Sequence, residues 1–389
     1  MLRATLRLAK RGILHLASFT GVDSRVRDSE WRRRRLAVIA YHGVSRRDEH
    51  LWNDELYVTP EHLRRRLTFL RAEGYVVLPL REGLERLTAG TLPPRAVALT
   101  FDDGFRDFAD MALPLLSEFN AHATAFVTTH HAVDGQPVFL LALDYLLWHA
   151  RAVPARNALL GGARVTLETG DRAARFRTRE RVEQQLRGRR ATPADRMQLL
   201  VEVARALDLD AIQLLGADMM RIMTIETLRA LPTSLVDLQL HTHRHRMPAA
   251  AEELQRELDD NRRVLGTAIP SERCVDTLCY PSGEHDPASF DLLRAWGVRH
   301  ALTCLPGLAS PLENPLIIRR WTDTMGVSDL MFSAMMSGVA TALPSRATIG
   351  LPQPAAVPPP RRSAWNRMRG TPSVRSGTTQ SVTAKPERE

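Results

Sequence analysis

The sequence predicts a parallel α/β fold, a (β/α) barrel carrying a helical insertion. Three observations lead there. Short apolar runs alternate with segments of helical period. Three polar clusters each follow directly on such a run, as they do where the strand ends of a parallel barrel gather at one face. Between about 131 and 222 the alternation gives way to a stretch rich in Arg and Ala, and then it resumes.

The elements follow in order. Leu36 to Ala40 is apolar and stops at Tyr41-His42-Gly43, which reads as a buried strand ending in a turn. Thr59-Pro60-Glu61 is a helix start, with Leu63, Leu67 and Leu70 at helical spacing and Gly74 at the end. Tyr75 to Leu78 and Ala96 to Phe101 are strand-like, and Asp102-Asp103-Gly104 breaks the second. A helix runs through Leu113, Leu116 and Phe119, and Ala123 to Val127 is again a strand. The insertion at 131–222 shows helical period at Arg181 to Leu186 and Met197 to Leu207. Beyond it come a helix at Ile225 to Leu231, a strand at Val236 to Leu240, and a helix from Ala250 to Leu265. A strand at Thr277 to Tyr280, a helix from Pro287 to Trp296, and late strands at His300 to Thr303 and Leu316 to Ile318 complete the order.

The chain has 389 residues, 44% hydrophobic and 25% charged, enough for a sizeable core without staples. Its formal net charge is +9, almost all of it arginine, with Lys10 and Lys385 the only lysines. Much of the excess falls in Arg32 to Arg35 and in the tail, segments that need not join a core. No nucleic-acid-reading motif accompanies them, so a nucleic-acid partner is not expected. Cys274, Cys279 and Cys304 form no Cys-x-x-Cys pair and no disulfide framework, which favours a reducing compartment. No run is long and apolar enough to span a bilayer. Leu2, Leu6, Ala9, Ile13 and Leu16 fall at helical spacing among basic residues, so the segment 1–35 is expected to include an amphipathic helix able to touch a membrane surface. The expected location is cytoplasmic, with no signal peptide. From Pro344 the composition collapses into Pro, Arg, Ser and Thr, so 344–389 is expected to be disordered and 36–343 to hold the barrel.

The first polar cluster is Thr100-Phe101-Asp102-Asp103-Gly104. Adjacent carboxylates repel unless a cation separates their roles, and a metal on one would leave the other free as a base. The second is His241-Thr242-His243-Arg244-His245. Imidazoles suit zinc and similar metals, and His241 and His245 share a face if the segment is helical. The third, Cys279-Tyr280-Pro281-Ser282-Gly283, is a strand end with a turn that can present backbone N–H groups to an oxyanion.

The order Thr-Phe-Asp-Asp-Gly, His-Thr-x-x-His, Tyr-Pro-x-Gly resembles the NodB-homology polysaccharide deacetylases, carbohydrate esterase family four, over roughly Leu36 to Gly338 with the insertion set aside. The resemblance implies a distorted (β/α) barrel that removes acetyl groups from N-acetylated sugars with a divalent metal such as Zn2+. It implies Asp102 as base and Asp103, His241 and His245 as metal ligands. Three departures stand out. Cys279 occupies the place of an Arg that orients the base, Ser282 that of an aromatic residue, and no late Leu-x-His motif follows His300.

A closed barrel sets its last strand beside its first. Val38 to His42 is an apolar strand ending in histidine, and some relatives in this family look circularly permuted with an early Tyr-His pair. His42 is therefore the expected general acid. Tyr280, Ser282 and Arg319 are the candidates for contacting substrate or oxyanion, with Arg319 or Arg320 orienting a catalytic group. Two other readings stay open: hydrolysis of a non-sugar C–N bond such as a cyclic amide, and a non-catalytic glycan-binding barrel.

Overall fold

The computed structural model describes residues 20–186, 191–216, 219–270 and 273–343. The amphipathic N-terminal stretch, through residue 19, and the tail from 344 lie outside the described residues.

Eight parallel strands make one curled sheet. In chain order they are β1 (Ala37–Tyr41), β4 (Val76–Val77), β5 (Ala96–Phe101), β6 (Ala123–Val127), β9 (Val236–Leu240), β10 (Thr277–Cys279), β11 (His300–Leu302) and β12 (Trp321–Thr322). The numbers between belong to two small ribbons, β2 (Gly43–Val44) with β3 (Tyr57–Val58), and the hairpin β7 (Arg156–Leu160) with β8 (Ala163–Leu167). The main order is β11-β10-β9-β6-β5-β1-β12, with β4 also on β5. The run 316–322 closes it. Ile318 bridges Leu302 of β11, and three residues later Trp321 pairs with Ile39 of β1. The late strand expected at Leu316–Ile318 is thus a single bridge, and the strand proper begins three residues further on.

Alternation along the strands sorts the side chains into two layers. Val38, Ala96, Ala98, Phe126, Cys279, Leu302 and Ile318 pack together inside, with Leu80, Leu84 and Leu87 from the helix Leu80–Ala89. Ile39, Tyr41, Leu99, Phe101, Leu238, Leu240, Tyr280 and Trp321 face outward into the larger core under the surrounding helices. Continuing the inward phase past each strand end leads to His42, Asp102, His241 and Arg320.

Two expectations change. The Arg32–Arg35 run is not a free basic segment. Helices Val22–Arg27 and Glu30–Arg33 precede β1, and Arg32 is fully buried, donating to the carbonyls of Met336 (2.8 Å), Arg35 (2.7 Å) and Ala96 (3.2 Å). A guanidinium can be buried when its donors all find acceptors. The insertion is not purely helical either. The helices Phe139–His149, Arg172–Gln184, Pro193–Ala206 and Ala211–Leu215 share a core with the β7–β8 hairpin, turned by Gly161-Gly162. Bridges Pro137↔Arg221 and Phe105↔Ile222 fasten its two ends.

Candidate active site

The strand ends supply the pieces. Beyond Phe101 the chain turns at once, with Asp103 (φ 69°) and Gly104 (φ 80°) both left-handed. A side chain at Gly104 would put its Cβ 2.8 Å from Val127, so only glycine fits there. The turn sends the two carboxylates different ways.

Asp102 stays in the inward phase and is buried. Arg320 grips it with two parallel bonds, Nη1 to Oδ1 (2.8 Å) and Nη2 to Oδ2 (2.5 Å). Arg320 also donates to the Thr303 carbonyl (2.9 Å), and Cys279 Sγ stands 3.0 Å from its Nη2 and 3.4 Å from Asp102 Oδ2. His42 Nε2 lies 3.7 Å from Asp102 Oδ2. Burial alone would raise the Asp102 carboxyl. The Arg320 guanidinium outweighs it, helped by His42 and His241, and lowers the group to about 2.

Asp103 faces the histidines. Its Oδ1 is 3.2 Å from His241 Nε2 and 3.1 Å from His245 Nε2. Burial works to raise it, yet the two imidazoles hold it well below the ordinary carboxylate range. The 241–245 segment is not a helix. Left-handed residues at Thr242 (φ 59°) and His245 (φ 51°) fold it into a loop that returns His245 to His241. His243 turns away, with Nδ1 2.8 Å from Thr129 Oγ1.

The helix Ala251–Leu265 fixes that loop. Asn261 Oδ1 accepts from the His241 N–H (3.0 Å), while Nδ2 donates to the Val127 carbonyl and to Thr129 Oγ1 (both 2.9 Å). The Glu257 carboxylate accepts from the Arg244 N–H (2.7 Å) and the Arg246 side chain (2.8 Å). His241 Nδ1 lies 2.8 Å from the Cys279 carbonyl, which makes Nδ1 the donor there and leaves Nε2 as the atom that faces Asp103 and would ligate a metal.

Among the described residues, two donor sets are close enough to hold a cation, Asp103–His241–His245 and Asp102–His241–Cys279. The second already has Arg320 against both its carboxylate and its thiol. The first has no cationic side chain between its donors other than the imidazoles themselves. One carboxylate and two imidazoles are the donors of a metal site that keeps open positions, so this set fits a divalent metal.

Some expected residues fall elsewhere. Arg319 is in the outward phase of the closing run and pairs with Glu313 (2.7 Å), so its neighbour Arg320 is the one that reaches Asp102. Tyr280 is likewise one residue out of phase with Cys279. It is buried in the outer core and donates its hydroxyl to the Leu316 carbonyl (3.1 Å), away from the carboxylates. Ser282 is exposed at the strand end in a left-handed conformation (φ 56°). Neither Asn261 nor Glu257 was singled out from the sequence. A buried Asn and Glu on the apolar face of an amphipathic helix were the signal.

A polysaccharide deacetylase family model matches residues 89–145, the span from the end of one barrel helix through the Asp-Asp turn and β6 into the first helix of the insertion. Over this stretch the chain is similar to the polysaccharide deacetylases. Two curated proteins named poly-beta-1,6-N-acetyl-D-glucosamine N-deacetylase are similar to it. The one from Staphylococcus epidermidis is 31% identical over 74 residues, 19% of this chain and 26% of the relative. The one from Escherichia coli K12 is 31% identical over 98 residues, 25% of this chain and 14% of the relative. The matched stretches thus span about a quarter or less of those proteins. Among solved structures, the Streptococcus pyogenes deacetylase PplD in complex with acetate superposes with a TM-score of 0.50 at 17% identity, covering 80% of this chain and 99% of that one. The fold shared with that structure is a distorted (β/α) barrel.

Proposed function

We propose that the protein is a metal-dependent hydrolase that removes acetyl groups from N-acetylated sugars. The observation that carries this is the division of labour between adjacent aspartates: Asp103 sits with His241 and His245, while Asp102 is held by Arg320.

Asp102 is ionised throughout the neutral range and takes the proton from a water attacking the acetyl carbonyl. Held that low it is a weak base, and a divalent metal on Asp103, His241 and His245, Zn2+ by its donor set, would supply the acidified water and polarised carbonyl that offset this. Arg320 fixes the orientation of the Asp102 carboxylate with both nitrogens. The Ser282 N–H, at the exposed left-handed turn, is the backbone donor nearest in role to an oxyanion contact. His42, 3.7 Å from Asp102, gives the departing amine its proton. In this reading β1 does the work of the missing late histidine strand, the arrangement expected of a circularly permuted relative.

The substrate class rests on the two curated relatives, whose names specify a polymer of N-acetylglucosamine. Acetate release from N-acetylglucosamine oligomers, assayed with chelator and with Zn2+ restored, tests the proposal. Metal-dependent release supports it. Binding of the oligomer with no release under either condition would leave a glycan-binding barrel. His42→Ala should keep the metal and lose turnover on the N-acetyl sugar, and lose less on an activated acetyl ester, whose leaving group needs little protonation. Wild-type rates on the sugar in that variant would remove His42 from the mechanism. No helix among the described residues is long and apolar enough to cross a membrane.

A further inference from the structure

His42 leads straight into a segment gripped from three sides. Gly43 donates to the Leu56 carbonyl (3.0 Å) and Ser45 to the Val58 carbonyl (2.8 Å), which makes the short β2–β3 ribbon. Asp107, buried one turn past the Asp-Asp pair, accepts the Val44 N–H at Oδ1 (2.9 Å). The Tyr57 ring packs against Gly43, where an added Cβ would stand 2.2 Å from Tyr57 Cε1.

Tyr57 is not merely a barrel residue. It is fully buried in the core of the insertion, 6.1 Å from the Trp52 ring, and its hydroxyl donates to Met220 Sδ (3.1 Å) where the insertion returns to the barrel. The loop that continues from Ser45 is tied to the insertion as well. Asp48 accepts the Tyr145 hydroxyl, His149 Nε2 is 3.5 Å from Asp48, and Arg47 donates to the Gln213 carbonyl (2.8 Å).

We propose that Tyr57 and Asp107 are positioning residues that hold His42 at the reacting centre, and that the insertion serves the reaction by bracing them. This rests on the reading of His42 as the general acid. Asp107 acts through the Val44 N–H and touches no substrate. Burial, with Glu49 nearby, pushes its carboxyl up to about 8, so at neutral pH it is largely a neutral acceptor that an amide can imitate. Tyr57 sets how closely the His42–Gly43 backbone approaches the insertion, and misplacing an acid by about 1 Å can cost about 10²-fold.

The test compares Asp107→Ala, Asp107→Asn and Gly43→Ala in the full chain loaded with Zn2+. The substrates are an N-acetylglucosamine oligomer and an aryl acetate. Asp107→Ala and Gly43→Ala should lose about 10²-fold on the sugar and only a few-fold on the ester. Asp107→Asn should stay within a few-fold of wild type on both. Equal losses on both substrates, or none, would overturn the proposal. A second measurement needs no turnover: the ring resonances of His42 should shift in Asp107→Ala and stay in place in Asp107→Asn. Unmoved resonances in Asp107→Ala would also overturn it. If His42→Ala turns over the sugar normally while these shifts appear, the acid assignment has failed and the positioning contact stands.

Discussion

The two halves of the site are built by opposite means. On one side Asp102, Arg320 and Cys279 come from strand ends in the inward phase, and the carboxylate is locked by a buried guanidinium. On the other, Asp103 and His245 stand on left-handed residues in turns, and the pair depends on a loop held by Asn261 and Glu257. The first half is organised by the barrel itself and completes its own charge. The second brings one carboxylate and two imidazoles together on turns. On the proposed roles, the demands of a fixed, ionised base and of a metal-binding carboxylate fall on either side of a single peptide bond.

The sharpest way to break this comparison is at the ligand set. Asp103→Ala should lose bound metal and essentially all turnover, read by metal analysis of the purified protein alongside the acetate assay. Full metal content in both Asp103→Ala and His241→Ala would show that the loop half is not the metal site. Asp102→Asn should do the reverse and keep the metal while losing roughly 10²–10⁴-fold in turnover. Loss of metal there would mean that the two aspartates have exchanged roles.

Arg320→Met sharpens the contrast through stability. It leaves Asp102 buried without its partner and should cost about 3–5 kcal/mol in chemical denaturation at neutral pH. Asp102 titrates lower in the folded protein than in the unfolded chain, from 3.8 to about 2. The stability it contributes is therefore present above pH 4 and lost as pH falls toward 2. The gap between wild type and Arg320→Met should narrow over that window. A constant gap would show that the guanidinium contributes packing alone.

A stability contrast of opposite sign concerns Asp107. Its carboxyl is raised from 3.8 to about 8 on folding, so the native state holds a proton that the unfolded chain releases. Stability from this group falls as pH rises from about 4 to 8. Asp107→Asn should gain on wild type as pH rises through that range, measured as the denaturation midpoint at pH 5 and pH 8.5. Parallel curves would contradict the shift.

Much of the barrel was legible because its strands are buried on both faces. Ala96–Phe101 and Ala123–Val127 read as near-continuous apolar runs and Val236–Leu240 as an alternating one, each with a polar stop, and the structure has all three residue for residue. The closing strand gave no such run, since Trp321–Thr322 is only two residues long and Ile318 before it makes one bridge, to Leu302. That is also why Arg319 and Arg320 could not be told apart: the choice depends on the phase of a strand too short to show one. The insertion's hairpin did leave a signal, Gly161-Gly162 between Leu159-Leu160 and Val165, but it sat inside a stretch dominated by helical period. Arg32 was read as surface charge because nothing in a run of four arginines marks the one whose donors all meet carbonyls.

The closing run has a consequence for how the molecule is made. Arg320 lies 218 residues after Asp102, on the segment that joins β11 to β1. A ribosome delivers the aspartate long before its counter-ion. Until residue 320 has emerged, a barrel folded around Asp102 would have to bury that carboxylate unpaired or keep it wet, and either way its inner layer cannot close. On the proposed roles, the nascent chain would lack its base until the final strand arrives. The run that carries Arg320 to Asp102 also joins β11 to β1, so closure and competence would be one event in the life of the chain.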